Sequence, residues 1–327
     1  MRIYREADAN MLFLADVPVA VVGYGRLGRP LALNLRDSSV NVIIGNIDDI
    51  YAQEARKDNF TVLDIPEAVA RSQVICMAIP DEAAPRVYLE LVGPHLKTGD
   101  TLAFMSGYNL AYRLIEPPVF VDVGVIAPRT LASTLRAAYL NGTGFMSYFV
   151  LHQQATDNAL SRLLALGYAF GALKQGALEM SAQQEVALDL FGQHVMWPAI
   201  HSLLLSAARV LQQEGFDDEA ILTELYLSGE LATFFQQAAQ IGFQDTLQSL
   251  SLSAQYGILS RTERFQETKQ EARLSSILHS ILNGDFAQEL ADEYADGYPR
   301  LARMHAKLEK SSLWQLESAW RDVLRGL

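Results

Sequence analysis

The chain has 327 residues, half of them apolar and a fifth charged, which is enough for two domains or one large one with a sizeable core. Its 26 basic and 38 acidic residues give a net charge of −12, which argues against nucleic acid or an anionic membrane surface as main partner, because both need a basic face. A single cysteine excludes an internal disulfide, and with no cysteine or histidine cluster a structural zinc site is not expected. The N-terminal segment MRIYREADANMLFL lacks the apolar stretch of a secretory signal, and no run approaches the ~18 residues of a membrane span, so a cytoplasmic protein is expected.

Along the chain, VPVAVVGYG reads as a strand, RLGRPLALNLRDS as a helix and NVIIGN as a second strand. IPEAVARS then reads as a short helix, QVICMAIP as a strand with Cys76 in its core, and EAAPRVYLELVGPHLK as a helix. DTLAFMSG and VFVDVGVIAP are further strands, and GFMSYFVLHQQ and YAFGALKQGALEM could complete the sheet around the helix ATDNALSRLLALG. Such alternation predicts a parallel sheet with helices on both faces, a Rossmann-type α/β domain over residues 1–180. From about Ser181 the pattern turns to long amphipathic stretches, which predict an all-helical domain over 181–327.

VAVVGYGRLGRP supplies G-x-G-x-x-G between a predicted strand and a predicted helix. Gly23 permits the tight turn, Gly25 lets the backbone approach a pyrophosphate, and Gly28 allows close packing of helix on strand, with Tyr24, Arg26 and Leu27 completing the turn. The helix N-terminus then offers amide groups and a positive dipole end to the phosphates. After the second strand, Asp48 and Asp49 stand where carboxylates would accept from a ribose diol and repel a 2′-phosphate, so NAD(H) is favoured over NADP(H). The plainer alternative is that Asp48 caps the next helix.

With these segments laid out, the chain resembles the short class of ketol-acid reductoisomerases over nearly its whole length. The likeness rests on YREADANMLFLADVPVAVVGYGRLGRPLALNLRDS, AIPDEAAPRVYLELVGPHLKTGDTLAFMSGYNL, VDVGVIAP, EVALDLFGQ and SLSAQYG, in family order. It implies a knotted helical C-terminal domain, a site completed by a second subunit in a homodimer, and a small carboxylate-bearing substrate. It also implies that Ile79, Pro80 and Asp81 lie at the cofactor and that Ser251 holds the substrate's carboxylate.

The family's reaction uses two Mg²⁺ ions for an alkyl shift before the reduction, and Mg²⁺ prefers carboxylate oxygens. Asp189 matches the first metal aspartate, but the carboxylate expected four residues on is Gln193. Two glutamates would follow at i and i+4; here Glu224 and Glu230 are six apart, about 240° around a straight helix. Either alignment leaves a gap, at Ser228 or at Tyr226, unless the helix is bulged. The family's histidine becomes Ser106 and its lysine becomes Arg129, which stays charged where a lysine could trade protons. His194 and His201, seven apart, could recruit another metal with Asp189, although such histidines are more often packed or surface residues.

Cofactor features are kept and two-metal features eroded. The expectation is therefore an NAD(P)H-dependent reductase of a carboxylate-bearing ketone or imine, without the Mg²⁺-driven shift, with Ser106, Arg129 and Ser251 as catalytic candidates. A non-catalytic dinucleotide-binding or partner-binding protein is the first alternative. The authentic reductoisomerase, with Mg²⁺ at Asp189, Glu224 and Glu230, is the second.

Overall fold

A computed structural model describes residues 1–265 and 269–324 and divides the chain into two compact units, Met1–Asp189 and a second beginning at Leu190. In the first unit the strands are β1 (Ile3–Tyr4), β2 (Val19–Val22), β3 (Val42–Gly45), β4 (Thr61–Leu63), β5 (Val74–Met77), β6 (Thr101–Phe104), β7 (Asp122–Pro128), β8 (Ser147–Gln153) and β9 (Ala177–Glu179). The helices are α1 (Gly28–Asp37), α2 (Ile50–Lys57), α3 (Ile65–Ala70), α4 (Ala84–Val87), α5 (Tyr108–Ala111), α6 (Ala132–Leu140), α7 (Ala159–Phe170) and α8 (Ala182–Phe191). The strands form a nine-stranded sheet in the order β1-β9-β8-β7-β6-β5-β2-β3-β4.

The stretch β4-β3-β2-β5-β6-β7 is parallel throughout, which is the strand order of doubly wound dinucleotide folds. All of β2 is buried because its alternate residues face two cores. Val19 and Val21 meet Leu31 and Leu35 of α1 on one face, while Ala20 and Val22 meet Ala68 and Val69 of α3 on the other.

The sheet departs from the all-parallel expectation at its far side. β8 runs antiparallel to β7, since α6 is a short excursion and Ser147 re-enters opposite Pro128, where β7 ends. The helix expected over EAAPRVYLELVGPHLK is broken into α4, a π turn at Tyr88–Val92 and a 3-10 turn at Gly93–His95. Residues 168–170 end α7 rather than starting a strand, because Gly171 at φ +94° closes that helix. β1, β4, α5 and α6 are additional elements that the sequence pattern did not reveal, and α2, the helix expected after Asp48, takes Asp49 as its cap.

The second unit is helical, with α9 (Trp197–Gln213), α10 (Asp218–Leu222), α11 (Glu230–Ile241), α12 (Phe243–Gln248), α13 (Leu252–Thr262), α14 (Gln270–Leu282), α15 (Asp285–Ala295), α16 (Pro299–Leu308) and α17 (Ser312–Leu324). π turns occupy Gly192–Met196 and Thr223–Leu227. Ala208, Ile221, Leu222, Leu313 and Leu316 form a small core between α9, α10 and α17. Among the described residues no helix is long and apolar enough to cross a membrane.

Candidate active site

A cleft of about 740 Å³ opens at the C-terminal ends of β2 and β5, where the strand order reverses. Gly23 follows β2 at φ +95°, and a Cβ there would lie 2.8 Å from the Ala78 carbonyl oxygen. A Cβ on Gly28 would lie 1.9 Å from the Gly23 carbonyl oxygen, so only glycine lets α1 start this close to the strand. A Cβ on Gly25 would meet nothing within 4 Å. That open space, beside amides of a first helical turn that have no intrahelical acceptor, fits a pyrophosphate.

Tyr24, Arg26 and Leu27 line the same cleft. Tyr24 contributes its backbone, since its ring is buried against Phe60 and its hydroxyl donates to Asp58 Oδ2 at 2.8 Å. Arg29 donates to both Asp58 oxygens, and this pairing holds the Asp58 carboxyl below the usual carboxylate range.

After β3 the two expected carboxylates are placed differently from one another, Asp49 lining the cleft and Asp48 outside it. Asp49 is the N-cap of α2: its Oδ1 accepts from the Tyr51 and Ala52 amides and from Asn46 Nδ2. Asp48 is 85% exposed and pairs with Arg56 at 3.2 Å, outside the cleft lining. One residue missed by sequence reasoning is Asn46, which directly follows β3, lines the cleft and accepts the Tyr24 N–H through Oδ1 at 3.1 Å. Its position at the end of the second predicted strand was the available signal.

Ile79, Pro80 and Asp81 follow β5 and line the other end of the cleft together with Ser106 and Asn109. The Ser106 hydroxyl donates to Asp81 Oδ2 at 3.2 Å, and Asn109 Nδ2 donates to the Asp81 carbonyl oxygen at 3.1 Å. Burial pushes the Asp81 carboxyl up to about 6, although the Ser106 bond opposes the shift. Glu185, on α8, is buried and accepts the Gly107 N–H at 2.8 Å. Burial pushes its carboxyl up to about 7. A side chain at position 107 would collide with it, the added Cβ lying 2.7 Å from Glu185 Oε2. Sequence reasoning missed Glu185, whose partner lies 78 residues away.

Arg129, just beyond β7, and Asp189, on α8, form an ion pair with Nη2 and Oδ1 2.5 Å apart. The Arg129 guanidinium also lies over the Tyr148 ring, 5.0 Å from its centroid. So Asp189, the expected first metal ligand, carries a cation from its own chain.

In the second unit, Glu224 lies in the Thr223–Leu227 π turn, and Glu230 begins α11 after Gly229 at φ +73°. The straight-helix angle expected between them therefore does not apply, and both are exposed. Ser251 is the N-cap of α13, its hydroxyl oxygen accepting the Ala254 N–H at 3.3 Å. His194 packs edge-on against Phe286, with ring centroids 4.3 Å apart. Among the described residues no group of three or more His, Cys, Asp and Glu side chains is placed to hold a metal ion.

The strand order, the glycine turn and the cleft at the switch point define a dinucleotide-binding oxidoreductase scaffold. A family profile described as acetohydroxy acid isomeroreductase, NADPH-binding domain, matches residues 13–176, and one described as ketol-acid reductoisomerase, C-terminal domain, matches residues 183–325. The chain belongs to the ketol-acid reductoisomerase family.

It is 37% identical over 265 residues to a ketol-acid reductoisomerase (NADP(+)) of Methanopyrus kandleri, covering 80% of this chain and 81% of that one. It is 33% identical to the Pyrobaculum calidifontis protein of the same name, covering 99% of each. The structure of an NADH-preferring ketol-acid reductoisomerase from an uncultured archean matches with a TM-score of 0.92 at 30% identity, covering 98% of this chain and 99% of that one.

Proposed function

We propose that this chain uses a nicotinamide dinucleotide to reduce a small carboxylate-bearing ketone, the reductive half of its family's chemistry. The observation that carries this reading is the open cradle at Gly25, set between Gly23 and Gly28 and continuous with the Asp81–Ser106–Asn109 end of the cleft. The cofactor, when bound, supplies a hydride. The Gly23–Gly28 turn would hold its pyrophosphate, Asn46 and Asp49 stand at the ribose end, and Ile79 and Pro80 face the nicotinamide end. Asn109 and Ser106 orient the Asp81 carboxyl, and burial, which pushes it up to about 6, leaves enough of its acid form in mildly acidic solution to donate to a nascent alkoxide.

NAD(H) is the proposed cofactor. Arg26 belongs to the glycine turn itself, and the two other arginines beside that turn, Arg29 and Arg136, are engaged by Asp58 and by Asn34 and Asp37. For Mg²⁺ the donor set of this chain does not fit the two-ion pattern: Asp189 is engaged by Arg129, and Gln193 offers a neutral amide in place of a carboxylate. The complete isomeroreductase reaction is the second reading, favoured by the names and the coverage of the relatives.

A homodimer is also proposed. It is supported by the family membership and by the exposed apolar side chains Phe235, Ile241 and Phe243 of the helical unit.

The test mixes purified protein with NADH or NADPH and 2-acetolactate, 2-ketopantoate or hydroxypyruvate, with and without Mg²⁺. Metal-independent oxidation of NADH by a keto acid is expected. Turnover of 2-acetolactate that requires Mg²⁺ would establish the second reading instead. NADH binding without turnover of any substrate would overturn both.

A further inference from the structure

We propose that Arg129 takes the place of a divalent ion at Asp189, so that the resident cation of this site is a guanidinium built into the chain. The inference rests on the reductive reading above, and it assigns a built-in positive charge to the neighbourhood of Asp81 and Glu185, which both feel the Asp189 charge.

The geometry gives one oxygen of that carboxylate to Arg129. Arg129 Nη2 lies 2.5 Å from Asp189 Oδ1, whereas a Mg²⁺ ion would need the same oxygen at about 2.0–2.1 Å, against the guanidinium. Arg129 is also held from other directions. Its backbone N–H donates to the Met146 carbonyl oxygen at 2.8 Å, and its guanidinium lies on the Tyr148 ring.

The chemistry of the side chain points the same way. An ammonium group can lose its proton and withdraw as a neutral amine, but a guanidinium stays charged at any ordinary pH. It therefore cannot vacate the carboxylate by deprotonation when a metal ion arrives. Gln193 removes the second negative charge that a hard ion would need, which leaves Asp189 and Arg129 as a neutral pair. A guanidinium carries five N–H donors in a planar fork, more than one carboxylate oxygen can take, and that fork suits a small oxyanion.

Binding of Mn²⁺ to the full chain, followed by the paramagnetic resonance signal of the free ion, tests the assignment without any turnover. The native protein and Asp189→Asn should hold the same small amount of Mn²⁺. Arg129→Met should bind Mn²⁺ at least about tenfold more tightly, and Arg129→Met with Asp189→Asn should lose that gain. If Asp189→Asn lowers Mn²⁺ binding relative to the native chain, an ion occupies Asp189 beside Arg129 and the inference fails.

It also fails if Arg129→Met, folded by circular dichroism, gains no site that depends on Asp189. Should Arg129→Met not fold, the comparison of native protein with Asp189→Asn still decides. Absence of ketone reduction with this Mn²⁺ pattern intact would refute the functional reading alone, since the two readouts are independent.

Discussion

The glycine turn allows folding and cofactor binding to be separated by two single-methyl substitutions. In Gly28→Ala the new Cβ would sit 1.9 Å from the Gly23 carbonyl oxygen, whereas ordinary Cβ contacts begin near 3.4 Å. α1 must then move by on the order of 1 Å or more, and overpacking of that kind costs ~1–3 kcal/mol of stability. In Gly25→Ala the Cβ meets no protein atom within 4 Å. Stability should hold, or rise by ~0.4–1 kcal/mol through the smaller entropy of the unfolded chain. The same methyl would stand where a pyrophosphate has to approach. Losing two charge-assisted amide contacts at ~1.5–3 kcal/mol each weakens binding by about a hundredfold or more. Fluorescence titration with NADH and a thermal melt on the same samples separate the effects: Gly28→Ala should fail in both, Gly25→Ala in binding alone. If Gly25→Ala binds NADH within about threefold of the native chain, the cradle is not at that turn and the placement of the cofactor is refuted.

The carboxyls at the other end of the cleft predict a pH dependence of stability. Glu185 is raised from its ordinary 4.5 to about 7, so between those values the folded chain holds more protons than the unfolded one. Stability from this group is therefore full below pH 4.5 and falls as pH rises towards 7 and beyond. Melts of Glu185→Gln should change less than those of the native protein between about pH 5 and 8, and parallel curves would refute the shift. Asp48→Ala should alter NADH affinity by less than about twofold, because its carboxylate is exposed and paired with Arg56, whereas Asn46→Ala should lower the melting temperature by leaving the buried Tyr24 amide unpaired. An Asp48→Ala variant with tenfold weaker NADH binding would return that residue to the ribose. Sedimentation velocity should show a homodimer, and a 36.2 kDa monomer as the sole species would refute it.

The parts of the site legible in the sequence are those fixed by local sterics. Gly23, Gly25 and Gly28 act within a few residues of one another, and their spacing carries the geometry of the turn directly. Asp48 and Asp49 show the limit of reading by charge alone. Both are acidic after the second strand, but an aspartate at a helix N-cap finds backbone N–H partners first, so one oxygen of Asp49 goes to α2 and Asn46 joins it in lining the cleft. Glu185 gave no local signal, because what fixes its role is a missing side chain at Gly107 on a different element.

The metal question turns on the same difference between spacing and placement. Glu224 and Glu230 look mismatched on a straight helix, but the chain between them contains a π turn and a glycine at positive φ, so counting residues at 100° each says nothing about their separation. Arg129 is the opposite case. In the sequence it reads as one base replacing another, with no change of charge. In the fold its rigid fork reaches the one carboxylate of the first unit that a metal would need, and its permanent charge keeps it there. Family membership therefore specifies the scaffold. The chemistry at Asp189 depends on whether a divalent ion can displace a guanidinium, a competition between two cations for one oxygen that Mn²⁺ binding measures directly.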